Sequence, residues 1–153
     1  MNTRPSKIVC VGRSYAEHAQ ELGNAIPDSP VLFIKPPSSL ISLEDGITWN
    51  KNLGNLHHEC ELTLRLDQPL KNETDPQKAL EAIGAVTLGL DLTLRDLQDS
   101  LKKKGHPWER SKAFDGACVL ADWVEVSEVK AWNAVTFDFQ VNDQVRQKGD
   151  TAL

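Results

Sequence analysis

Two short stretches limit what this chain can fold into. In Leu56-His57-His58-Glu59-Cys60-Glu61-Leu62 and in Gly89-Leu90-Asp91-Leu92-Thr93, polar and apolar residues alternate. A period of two is that of a strand with one buried face. In the first stretch Leu56, His58, Cys60, Leu62, Leu64 and Leu66 take one face, while His57, Glu59, Glu61, Thr63 and Arg65 take the other. In the second, Val86, Leu88, Leu90 and Leu92 oppose Ala85, Thr87, Gly89 and Asp91. Glu59 and Glu61 then point the same way, about 6 to 7 Å apart. If Asp91 comes from a neighbouring strand, the three make an all-oxygen pocket suited to a hard divalent cation such as Mg²⁺.

From periodicity alone two readings of the glutamates stay open. They are the solvated face of an amphipathic strand, or they are two of the three ligands of a metal site. Strands disfavour Glu and Asp only weakly. Converging carboxylates repel unless a cation neutralises them, so convergence would separate the two readings.

The rest of the chain reads as short elements. A strand is expected over Lys7 to Val11, then a short helix with Ser14 as N-cap, Glu17 completing a capping box and Gly23 as its stop. A strand from Val31 to Lys35 ends at Pro36-Pro37, and residues 38–55 read as loop and turn. A helical stretch is expected near Gln77 to Ala82. Thr93, with Asp96 three residues on, reads as the cap of a helix running to Gly105. Near the end come a strand from Thr136 to Val141, the turn Asn142-Asp143 and the start of a return strand. Many short strands with few helices indicate a single α+β, mainly β domain over residues 1–153. The return strand reads as unfinished, and an unpaired edge there would be unusual.

Composition removes several function classes. Twenty-two acidic against 17 basic residues give a net charge of -5, which argues against a nucleic-acid or anionic-membrane surface. No run approaches the roughly 18 to 20 apolar residues that span a bilayer. The first residues lack the apolar core of a signal peptide. Cys10, Cys60 and Cys118 are odd in number, far apart and without a CxxC pair, so reduced thiols in a cytoplasmic setting are expected.

Other residues offer chemistry with an ordinary alternative beside it. His18 and Glu21 are spaced i,i+3, as a general base with its orienting carboxylate or as a surface pair. Arg13 stands where it could bind an anion or be solvated. Lys112, in Trp108-Glu109-Arg110-Ser111-Lys112-Ala113-Phe114, could stabilise an enolate or simply be exposed. Arg95 and Gln98 could hold a carboxylate and a carbonyl, or make structural hydrogen bonds.

Taken together these stretches resemble the fumarylacetoacetate hydrolase family, particularly its small acylpyruvase-like members. The match runs in order through Ile8-Val9-Cys10-Val11-Gly12-Arg13-Ser14-Tyr15-Ala16-Glu17-His18, Pro30-Val31-Leu32-Phe33-Ile34-Lys35-Pro36 and the two acidic stretches. It continues through Leu94-Arg95-Asp96-Leu97-Gln98, Gly105-His106-Pro107-Trp108, Lys112-Ala113-Phe114-Asp115 and Val141-Asn142-Asp143-Gln144-Val145-Arg146-Gln147. The resemblance implies a mixed β-roll, usually a homodimer. It implies Mg²⁺ or Mn²⁺ on Glu59, Glu61 and Asp91, and water activation by His18 and Glu21. It also implies Lys112 near the metal and substrate contacts from Arg95 and Gln98, to which the anion reading of Arg13 adds a third. The activity implied is hydrolysis of a carbon–carbon bond in acylpyruvate-type β-diketo acids, releasing pyruvate. The alternatives are decarboxylation or tautomerisation of oxaloacetate, or a catalytically impaired remnant. Family members continue through further strands and a Thr-Gly-Thr-Pro segment that nothing here matches. A fold lacking its C-terminal part is therefore expected.

Overall fold

The computed structural model describes residues 4–12 and 29–152. The expected helix from Ser14 to Gly23 lies outside the described residues. In chain order the elements are β1 (Ile8–Gly12), β2 (Val31–Lys35), β3 (Leu40–Ser42), β4 (Leu56–His57), β5 (Cys60–Leu66), α1 (Pro76–Glu81), β6 (Ile83–Asp91) and β7 (Thr93–Leu94). They continue with α2 (Arg95–Lys103), α3 (Glu109–Lys112), β8 (Cys118–Leu120), β9 (Val124–Glu125), β10 (Thr136–Val141) and β11 (Gln144–Asp150). The class is α+β and mainly strand, as the patterning indicates. Two compact units are built from interleaved stretches. One holds the described residues up to Glu59 together with Asp91–Val119, the other Cys60–Leu90 and Leu120–Ala152.

In the first unit β1 and β2 pair antiparallel, from Ile8 opposite Lys35 to Gly12 opposite Val31. Alternation places Cys10 and Lys35 on the buried side and leaves Val9, Val11, Leu32 and Ile34 exposed on the other. Pro36 and Pro37 end the strand, because a proline supplies no N–H to a ladder. The stretch expected to be wholly loop contains β3, which lies beside β8, and short 3₁₀ turns over Pro37–Ser39, Leu43–Asp45 and Lys51–Leu53.

Helix α2 forms where expected but is not capped as expected. Thr93 is fully buried and belongs to β7, opposite His57. Its hydroxyl donates to the Asp91 carbonyl, so Leu94 takes the N-cap position with no side-chain bond. Strand pairing outweighs the local capping preference here. Gly105, at φ +65°, follows the C-cap Lys104 and supplies the left-handed residue that ends many helices.

In the second unit β5 and β6 pair antiparallel with Cys60 opposite Leu90, and β9 pairs with β6. Both faces of β6 are covered along nearly its whole length. The apolar face of β5 departs from expectation. Cys60 is buried, but Leu64 and Leu66 are 44% and 55% exposed, so this face is covered only at its first end. Helix α1 begins at Pro76 under an Asp75 cap, whose carboxylate accepts from the Gln77 N–H. The last hairpin turns through Asn142 and Asp143, both at positive φ, the geometry of a type I′ turn. Its return strand is not unfinished. Strand β11 pairs with β10 as far as Asp150 opposite Thr136.

Candidate metal and enolate site

Strand β6 ends in Asp91, which is 5% exposed. The Asp91 N–H donates to the Glu59 carbonyl at 2.8 Å, and the next residue along, Leu92, donates to Ala117 at 2.9 Å. The first of these bonds holds Glu59 beside Asp91. The strand pairing also corrects the expectation of one unbroken strand from Leu56 to Leu66. The ladder breaks at His58 and Glu59, because β4 pairs with β7 while β5 pairs with β6. Oxygens of Glu59, Glu61 and Asp91 nevertheless lie within 4.8 Å of one another.

Convergence of the carboxylates does not by itself separate the two readings of the glutamates, because side chains supply cations here. Lys112, at the end of α3, is 3% exposed. Its ammonium donates to Glu59 Oε2 at 2.7 Å and to Asp91 Oδ2 at 2.5 Å. The same ammonium lies 5.1 Å from the centre of the Phe33 ring. Arg95 donates through Nη2 to Glu59 Oε1 and through Nη1 to Gln98 Oε1, the latter at 2.6 Å. Lys35 approaches from β2. Its Nζ lies 2.8 Å from Asp91 Oδ1 and donates to the carbonyls of Leu92 and Lys112.

The Lys35–Asp91 contact has the distance of an ion pair without the alignment of a hydrogen bond. Among the described residues, Asp91 Oδ1 is a buried oxygen with no hydrogen-bond donor aimed at it. That oxygen, the all-carboxylate donor set and their spacing fit a hard divalent cation such as Mg²⁺ or Mn²⁺.

The electrostatics follow from burial and pairing. Burial pushes the Glu59 carboxyl up, but the Lys112 charge and the hydrogen bonds from Lys112 and Arg95 outweigh it and hold the group at about 2. For Asp91 burial wins and pushes the carboxyl up, against the pull of Lys112 and Lys35. Burial alone would lower Lys112. The charges of Asp91 and Glu59 reverse that, so the ammonium stays protonated.

Of the residues singled out from the sequence, Glu59, Glu61, Asp91, Lys112, Arg95 and Gln98 occupy this neighbourhood. Arg13, His18 and Glu21 lie outside the described residues. Lys35 was missed as a contributor. Its signal was present, because alternation along β2 places a lysine on the strand's buried face, where an unpaired ammonium is costly.

The model of the fumarylacetoacetate (FAA) hydrolase C-terminal family matches residues 7–153. Oxaloacetate tautomerase YcgM of Escherichia coli K12 is 41% identical over 148 residues, covering 96% of this chain and 67% of that protein. A fumarylacetoacetate hydrolase family protein from Yersinia pestis CO92 superposes with a TM-score of 0.94 at 38% identity, over 99% of this chain and 70% of its own. Fumarylpyruvate hydrolase from Pseudomonas aeruginosa, solved with Mn²⁺ and pyruvate, gives 0.77 at 30% identity, over 94% and 64%. The chain thus spans about two thirds of the length of these relatives. With the family model matching almost throughout, the chain belongs to the fumarylacetoacetate hydrolase family.

Proposed function

We propose that this chain catalyses metal-assisted enolisation of a small 2-oxo acid of the oxaloacetate class, moving a proton between C3 and the 2-oxo oxygen. The observation that carries the reading is the buried Lys112 ammonium spanning Glu59 and Asp91. It is a fixed positive donor beside a carboxylate triad, where negative charge on an enolate oxygen would develop. A divalent cation held by Glu59, Glu61 and Asp91 would supply Lewis-acid polarisation of the 2-oxo group. Lys112 would then donate a hydrogen bond to the oxygen as charge builds on it. Arg95, steered by Gln98, would turn part of its guanidinium to a substrate carboxylate, with Arg13 as a second anion contact. His18, oriented by Glu21, would take the C3 proton and return it to oxygen. The name of the E. coli relative, an oxaloacetate tautomerase, supports this choice over the acylpyruvate hydrolysis inferred from sequence.

A second reading keeps the same enolate and changes the bond that breaks. In it His18 would activate water for attack on an acylpyruvate, and Lys112 would stabilise the departing pyruvate enolate. Its support is the fumarylpyruvate hydrolase neighbour at 30% identity.

Ultraviolet absorbance of the oxaloacetate enol, followed in Mg²⁺ with an EDTA control, tests the proposal. Metal-dependent acceleration of the enol–keto equilibration, with acetylpyruvate left intact, is the expected result. Pyruvate release from acetylpyruvate with no effect on oxaloacetate would move the assignment to the hydrolase. Mg²⁺ binding without turnover of either compound would overturn both.

A further inference from the structure

The residue between the two metal-site glutamates, Cys60, is held by a side chain from the last hairpin. The Glu59 carbonyl accepts from the Asp91 N–H, so it points toward β6. On an antiparallel strand the polar groups of the next residue then face the opposite edge. Strand β5 ends the order of its sheet, so among the described residues no strand pairs with Cys60 on that edge. Instead the Gln147 carboxamide meets both of its backbone groups. Gln147 Oε1 accepts from the Cys60 N–H at 2.7 Å, and Gln147 Nε2 donates to the Cys60 carbonyl at 2.5 Å. One side chain does the work of a neighbouring strand at the single residue that joins Glu59 to Glu61.

The hairpin is built to deliver it. From the turn, Val141 pairs with Gln144 and Gln140 with Val145, but Phe139 then pairs with Gln147. Arg146 is therefore an extra residue on β11. A one-residue bulge reverses the facing of every side chain beyond it. Gln147 is half-buried between the exposed Arg146 and Lys148.

We infer that Gln147 is a positioning residue for the metal site, fixing the Cys60 peptide and through it the spacing of the Glu59 and Glu61 carboxylates. This rests on the metal-site reading proposed above. Groups that hold metal ligands in place typically contribute roughly 10- to 100-fold in metal affinity. Only a carboxamide supplies an acceptor and a donor at this spacing. A carboxylate of the same shape accepts from the N–H but repels the carbonyl.

The test is Mn²⁺ titration of the full chain, with free Mn²⁺ read by electron paramagnetic resonance and thermal melting read in EDTA. Gln147→Glu and Gln147→Ala should each weaken Mn²⁺ binding about 10- to 100-fold while the melt stays cooperative. Gln144→Ala, on the exposed part of the same hairpin, should leave affinity unchanged. Affinity within twofold of the unaltered chain in both Gln147 variants would overturn the role of Gln147 alone. An unaltered chain that binds no Mn²⁺ would instead overturn the metal-site reading beneath it. If both variants unfold, the unaltered chain decides. The Cys60 N–H and Gln147 NH₂ resonances should move on adding Mg²⁺, and unmoved resonances would refute the inference.

Discussion

Lys35 Nζ lies 2.8 Å from Asp91 Oδ1, with the two side chains only 1% and 4% exposed. A cation from β2 thus meets the carboxylate that ends β6, and it also ties the carbonyls of Leu92 and Lys112. Removing one partner of a buried charge pair leaves the other uncompensated. Lys35→Met should therefore destabilise the chain by about 3–5 kcal/mol, measured by chemical denaturation in EDTA. A change under about 1 kcal/mol, the range of surface pairs, would show that Asp91 is neutralised without Lys35.

Lys112 bridges Glu59 and Asp91 where the proposed cation would bind. Lys112→Met should lower the melting temperature in EDTA, because the buried Asp91 and half-buried Glu59 carboxylates lose their common counter-ion. Added Mg²⁺ should then raise the melting temperature more in the variant than in the unaltered chain, since binding to the folded state alone stabilises it. Equal gains in the two proteins would show that Lys112 and the metal do not share the same carboxylates.

Glu59 is held at about 2 against an ordinary 4.5. A depressed folded value means that the ionised group stabilises the fold above its unfolded value, and that this stability is lost as pH falls through about 2. In EDTA, the stability gap between the unaltered chain and Glu59→Gln should be full above about pH 5 and close toward about pH 2. A gap that does not change over this range would mean that the charge of Glu59 contributes nothing.

The Cys60 thiol is pushed up to about 11 from 9.0, first by burial and then by the charge of Glu61. A thiol with a raised folded value costs stability as pH rises above 9.0, because the unfolded chain ionises first. All three cysteines are buried. At about pH 8, where even an unperturbed thiol is only partly ionised, they should react with Ellman's reagent only once denaturant is added. Fast labelling of the native chain would contradict this.

Gly149 lies opposite Phe137 in the last hairpin, and a Cβ there would come within 2.2 Å of the Phe137 ring. Gly149→Ala must displace that ring. Overpacking of this kind should cost about 1–3 kcal/mol, read as a drop in the denaturation midpoint. A neutral substitution would show that the ring moves freely.

Alternation determined β2 and β10 to the residue and placed β1 and β6 closely, because period-two burial is written locally. Asn142-Asp143 likewise specified its turn, because few residue pairs accept positive φ at both positions. The chemistry of the acidic residues was legible too, as a set of hard oxygen donors and a lysine of matching charge. Tertiary structure decided the rest. Thr93 satisfies the local rule for a cap, yet it pairs in β7 opposite His57 and leaves the N-cap position to Leu94. The break at Glu59 arises because successive short strands choose different partners. Lys35 became part of the site only when β2 carried it to Asp91, 56 residues away in sequence. Gln147 reached Cys60 only through a bulge that no periodicity announces. Faces and turns depend on neighbouring residues and can be read from them. Convergence depends on which distant backbone groups find partners, and only the folded chain settles that.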